Sequence, residues 1–395
     1  MNTTAWDSVA VLGVVFAAIG GCSEAPDRDP CFTLVAETAV TAAQDPGSPA
    51  GHVEAPKLWI SADAAKLVVL TNDGLLLFDP SLRNRRRLLD ASQYGTRRNL
   101  RSVVIHPAGN WLAAIVRSQE GEQKALLWKD SNEEPYDVLA DALALHFIPN
   151  KDACFMLDSS GLIHRSELSQ PHTVAISRGH LTGSAAMESV FAFAVSEDGA
   201  AVAALTGTGS NAGGVWDATS GAPRVRLEGP SAVSGAPIPL LDVAFSPDSK
   251  RVVVLSEDLR AWVFSIHGSR LSPAIQTDAG SLELCVWGKG DKLAVPVHRG
   301  QVQLVATRTM KSLAKFHAEC DRQWAIALNE ESGVLLTAGS DGVLRAWNIY
   351  TGLLLAQQDL ATREFTVAAT RDCSRVYTAD PKHGLRAWAY HAGTQ

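Results

Sequence analysis

The tetrapeptide LRAW occurs three times in the last third of this 395-residue chain, at 259–262, 344–347 and 385–388. The copies lie 85 and 41 residues apart, close to two periods and one. A repeat of this length constrains the fold more tightly than composition can, because each unit is a small motif that must stack on its neighbours. A further copy is expected near 302–305, where VQLV keeps the alternation of apolar and polar residues. Upstream, GGVW (213–216), LIHR (162–165), ALLW (125–128) and LLLF (75–78) occupy matching places. The last residues of these segments are 78, 128, 165, 216, 262, 305, 347 and 388, which mark eight units.

Around most anchors the same order recurs: an alternating apolar run, a turn, a second apolar run, then a short hairpin into the anchor. LLDVAFSPDSKRVVVLSEDLRAWVF (240–264) shows it, as do ESVFAFAVSEDGAAVAAL (188–205) and RSVVIHPAGNWLAAIV (101–116). Period-two runs broken by Pro, Asp and Gly signal successive antiparallel strands. A fourth strand follows the anchor, as in GLLLAQQDL (352–360). Four short strands per unit make a propeller blade with two apolar faces, and a ring buries both. The fold expected is therefore an all-β, single β-propeller of eight four-stranded blades, or seven if the unit at 162–165 is misread. Leu344 and Ala346 should face one neighbouring blade, Arg345 and Trp347 the other.

These units resemble the WD-repeat β-propeller family over about residues 31–395, best in LLTAGSDGVLRAWNIYTG (335–352). The resemblance implies a hydrogen-bonded structural relay of His317, Thr337, Asp341 and Trp347, since an indole N–H and a hydroxyl need buried partners. In blade 1 His52, Thr71 and Asp73 match, but Phe78 replaces the Trp. Asn348 replaces the name-giving Asp, which Trp216-Asp217 retains. The last unit stops soon after its third strand. Family rings borrow the missing strand from the other terminus, and FTLVAETAV (32–40) is the expected donor, within a closing segment at 31–42 ahead of blades at 52–395.

The amino terminus is of another kind. Val9 to Gly21 is an apolar run of signal-peptide length, ending in Ile19-Gly20-Gly21-Cys22. It resembles the lipobox of bacterial lipoproteins, which implies lipidation of Cys22 and cleavage before it, although no Lys or Arg precedes the run and Asp7 does. On this reading residues 1–22 are the signal, 23–30 a polar tether, and the protein is lipid-anchored in a bacterial envelope. A secreted, periplasmic or cytoplasmic location is the alternative.

No catalytic signature is present: no G-x-S-x-G, no H-E-x-x-H and no P-loop. The loop GTGSNAGG (207–214) lacks the Lys of a P-loop and reads as a hairpin tip. The six cysteines include no C-x-x-C pair, which leaves no zinc site and no disulfide scaffold; Cys154 and Cys285 sit in apolar runs. Neither cofactor nor metal is expected. A net charge of -7 argues against nucleic acid as a partner. One local exception, SLRNRRRLLDASQYGTRRNLR (81–101), carries Arg83, Arg85, Arg86, Arg87, Arg97, Arg98 and Arg101. This patch is a candidate surface for an anionic partner, or an outer strand whose like charges deter edge pairing.

Insertions at 117–124, 177–189 and 229–239, with Tyr94, Tyr136 and Tyr350, are further candidate docking points. Function divides three ways: an envelope-tethered scaffold holding other proteins on its rim, a periplasmic enzyme or ligand binder with a site in the central channel, or a cytoplasmic scaffold. A channel site would call for convergent carboxylates or His residues on the innermost strands, where the sequence offers Asp242 and Glu283.

Overall fold

The computed structural model describes residues 16–17, 31–38, 43–44, 53–54 and 57–392, the last with gaps in connections, the longest at 91–99, 169–189, 207–211 and 278–285. Its described secondary structure is strand throughout. Eight antiparallel sheets follow one another along the chain, six of them with four strands in sequence order. Blade 1 spans Lys57–Ile60 to Arg85–Asp90 and blade 2 Leu100–Ile105 to Asp137–Ala140. Blade 3 runs from Ala142–Phe147 to Ile163–Glu167, with three strands among the described residues. Blades 4, 5, 6 and 7 begin at Val190–Val195, Leu240–Phe245, Val286–Trp287 and Gln323–Asn329. Blade 8 is Thr366–Ala369, Arg375–Asp380 and Gly384–His391, completed from the other end of the chain.

That completion closes the ring. Cys31–Thr38 pairs antiparallel with Gly384–His391, from Cys31 opposite His391 to Thr38 opposite Leu385. The strand packs both ways: Phe32 and Leu34 lie against the cluster between blades 7 and 8, and Ala36 against that between blades 8 and 1. Phe16–Ala17, inside the apolar run read as an export signal, pairs beyond it as a fifth strand, while Cys22 lies outside the described residues. A small sheet, Ala43–Gln44 with Val53–Glu54, precedes blade 1 and had no sequence signal.

Each junction between blades has its own apolar core, eight in all. Burial on both faces explains why a strand such as Arg251–Ser256 is buried at every position. Leu344 and Ala346 enter the core shared with blade 8, and Trp347 enters the one shared with blade 6. The innermost strand of blade 8 meets that of blade 1, so the circle is complete.

Register corrects two anchors. Trp128, Trp216, Trp347 and Trp388 each oppose the second residue of their second strand: Leu112, Val202, Leu335 and Val376. In blade 5 that place belongs to Phe264, opposite Val252, while Trp262 opposes Val254. The first LRAW copy is thus two residues out of step, and Leu259 sits in a turn at φ 58°. A two-residue slip keeps every side chain on its own face, so the sequence pattern survives it. In blade 3 the equivalent residue is the buried Ser166, opposite Cys154, rather than Arg165.

The turns between first and second strands repeat one device in blades 4, 5 and 8. Ser196 and Ser246 donate to Asp198 and Asp248 at 2.6 and 2.5 Å, and Thr370 donates to Asp372. Each carboxylate accepts the amide two residues on, and each hydroxyl accepts the amide that opens the next strand. Burial raises these three carboxyls, but the hydroxyl and amide donors outweigh it and leave them below the usual range.

Candidate functional site

The residues matched to the structural relay divide. Trp347 Nε1 donates to Thr337 Oγ1 at 3.0 Å, both buried, and Trp388 repeats the bond to Thr378 at 3.0 Å. Asp341 is held by Arg345, 2.5 Å from its carboxylate, and His317 ends the outer strand of blade 6 with its side chain exposed. In blade 8 Asp380 is held by Arg386 at 2.8 Å and His383 at 2.9 Å. The carboxylates of these hairpins are thus neutralised by a base of the same hairpin. Trp262 finds Ser256 at 3.0 Å despite its displaced register, because both partners moved along the strands together. Thr71 of blade 1 donates to the Gly74 carbonyl, while His52 and Asp73 lie outside the described residues.

Trp128 and Trp216 hold the same anchor place, yet their indole N–H groups are buried with no acceptor among the described residues. The residue that corresponds to Thr337 is Ala114 in blade 2 and Ala204 in blade 4. Asn348 and Asp217 do one job: the side-chain oxygen of each accepts two amides of the turn that follows.

The innermost strands carry apolar side chains that are partly exposed while packing against the junction cores, with Lys57, Ser102, Asp242 and Thr366 partly exposed beside them. Trp59, Ile60, Val104, Ile105, Leu143 and Phe245 are partly exposed there. Asp242 accepts the amide of Val243 at 2.8 Å, and Glu283 lies outside the described residues. His146 stacks edge-on against Phe193, with ring centroids 4.7 Å apart, and burial pushes its imidazole down to about 4. At one mouth Arg371 of blade 8 reaches Glu197 of blade 4 at 3.4 Å, between turns that stand opposite in a ring of eight. Among the described residues no group of His, Cys, Asp and Glu is placed to hold a metal ion, and no helix is long and apolar enough to cross a membrane. A pocket between blades 7 and 8, lined by Leu336, Leu344, Val367 and Val376, has about 10 Å³ of room, enough for about one water.

The outer surfaces differ from blade to blade. Arg83, Arg85 and Arg87 are exposed at the outer strand of blade 1, with Arg87 tied to Asp90 at 2.6 Å, and Arg86 is half-buried. Arg97 and Arg98 lie outside the described residues, as do Tyr94, Cys285 and the insertion at 177–189. Cys154 is buried. The insertion at 117–124 is the hairpin between the second and third strands of blade 2, and 229–239 joins blade 4 to blade 5. Strand order puts both on one rim. Tyr136 packs edge-on against Trp111, whereas Tyr350 is exposed.

No family model and no curated protein matches the chain in sequence. In structure it is similar to the computationally designed Ika8 protein, with a TM-score of 0.61 and 18% identity over 87% of this chain and 98% of that one. It is also similar to Chaetomium thermophilum Sqt1, solved bound to the N-terminus of a ribosomal protein, at TM-score 0.60 and 16% identity over 85% and 96%. The C-terminal WD40 domain of Sif2 matches at TM-score 0.60 and 14% identity over 86% and 99%. At such identities the likeness shows a shared fold, that of WD40-type propellers.

Proposed function

We propose that this chain is a non-catalytic scaffold that holds other proteins on its rims and outer edges. The observation that carries the reading is the consumption of every blade face in a junction core, which leaves rims and outer strands as the surfaces available to a partner. The peptide-bound state of Sqt1 supports it, as a case of this fold used to hold a protein segment. The Arg83, Arg85 and Arg87 stretch suits an anionic stretch of such a partner.

For location, the Cys22 signal supports a lipid-anchored envelope protein. The pairing of Phe16–Ala17 onto blade 8 supports a second reading, an unprocessed chain that keeps this segment, because cleavage before Cys22 would remove the strand. Crosslinking and pull-down from native envelopes, with palmitate labelling of wild type and Cys22→Ser and the mass of the mature amino terminus, tests both parts. Specific protein partners, label lost in the variant and a terminus at Cys22 fit the anchored scaffold. Equal labelling and a retained Phe16 end the anchor, and capture of no protein ends the scaffold.

A further inference from the structure

In a closed ring each blade keeps two sheet edges with unpaired backbone groups, the innermost strand at the channel and the outer strand at the surface. Blade 8 shows that such an edge can take another strand, since Phe16–Ala17 pairs beyond Cys31–Thr38. Among the described residues the edge of blade 6, Lys311–His317, ends its sheet. Lys311, Ser312, Leu313, Lys315 and His317 are exposed along it, Leu313 by 50%. Leu313 is the extra residue of a bulge, between Ser312 opposite Val305 and Ala314 opposite Leu304. Lys311 and Lys315 have no ion-pair partner among the described residues, unlike Lys292 and Arg308 of the same blade.

The turn of blade 7 beside this edge completes a surface. A Cβ on Gly352 would lie 3.9 Å from the Lys315 carbonyl oxygen, so the turn abuts the strand. It displays Tyr350, Leu353 and Leu354, exposed by 70%, 65% and 44%. Tyr350 is nevertheless held. Its hydroxyl donates to the Glu330 carbonyl at 3.0 Å, its amide donates to Asn348, and its ring lies on Gly333, where a Cβ would come 2.7 Å from Cε2. An exposed aromatic already fixed in place loses little entropy on binding.

We propose that this edge and the Tyr350 turn dock an extended segment of a partner protein that carries acidic side chains on both faces with apolar ones between them, added as a further strand to Lys311–His317. The inference rests on the scaffold reading and names its surface. Because of the bulge Lys311 and Lys315 stand on opposite faces, so acidic side chains on each face of the added strand meet them, and apolar ones meet Leu313, Leu353 and Leu354. The same lysines repel a basic strand or the same edge of a second copy. The edge of blade 1 lacks this combination, because Leu88 and Leu89 are buried there and its outward side chains are arginines.

The test is fluorescence anisotropy of a short labelled peptide of Glu-Glu-Val repeats, which carries Glu on both faces of an added strand, titrated against the full chain, with its Lys-for-Glu counterpart as control. The Glu peptide binds wild type saturably and the Lys peptide does not. Lys311→Glu with Lys315→Glu weakens binding about tenfold, and Leu313→Asp and Tyr350→Ala each weaken it severalfold. Lys250→Ser, in an exposed turn of blade 5, leaves it unchanged. No saturable binding, or affinities within about twofold of wild type in all the blade 6 and 7 variants, overturns the proposal. Partners still crosslinked to wild type in that case leave the scaffold standing and remove only this surface; no partner and no peptide binding removes both.

Discussion

Single residues explain why the repeats look more alike than they are. LRAW is identical in three places, yet Trp262 stands two positions from the place of Trp347 and Trp388 and has recruited Ser256 in place of the usual hydroxyl. The sequence shows the tryptophan and the face it takes, but a two-residue slip preserves that face and is invisible to it. The pairing with Thr337 was readable because a buried N–H needs an acceptor. The capture of Asp341 by Arg345 was not, because spacing does not reveal which base reaches a carboxylate. Ala114 beneath Trp128 supplies the opposite case, a buried indole with nothing among the described residues to accept its proton. Thr337→Val should therefore lower stability by about 1–2 kcal/mol, and Ala114→Ser should raise it by up to ~1 kcal/mol. Urea midpoints with unchanged slopes measure both, and a neutral Thr337→Val would show that the bond adds nothing.

Strands and turns were legible where one chemistry dominates. Turns fall at the Pro, Asp and Gly breaks between apolar runs, and all eight anchors fall in or beside the strand expected of them. Elements of two or four residues, such as Val286–Trp287 or Ala43–Gln44, lack the length to show a period. The innermost strands add one feature the sequence hid: His146 looks polar there but is half-buried, edge-on against Phe193. Its folded value of about 4 lies below the ordinary 6.5, so as pH falls the unfolded chain takes up the proton first. The stability tied to a neutral His146 is complete above pH 6.5 and is lost as pH falls from there towards about 4. Urea midpoints across that window should fall less steeply in His146→Leu than in wild type. Parallel curves would mean that the ring is hydrated and protonates freely in the fold.

At the scale of the molecule, eight junction cores and one borrowed strand make the chain a single cooperative ring rather than eight separable units. The expectation of eight blades stands over seven, because the unit at 162–165 has its own sheet and a core on each side. The partner surface was only partly legible. Tyr350 stood out as a loop aromatic, but Leu313 reads as an ordinary strand residue until a bulge turns it outward and the next blade's turn comes beside it. Ring closure depends on Cys31–Thr38 holding the ends together through the cores on both sides of blade 8. The direct test compares melting of two truncated chains, one starting at residue 30 and one at residue 41. The first should melt as the full chain does, and the second about 10 °C lower or without a cooperative transition. Equal melting temperatures would contradict closure by this strand.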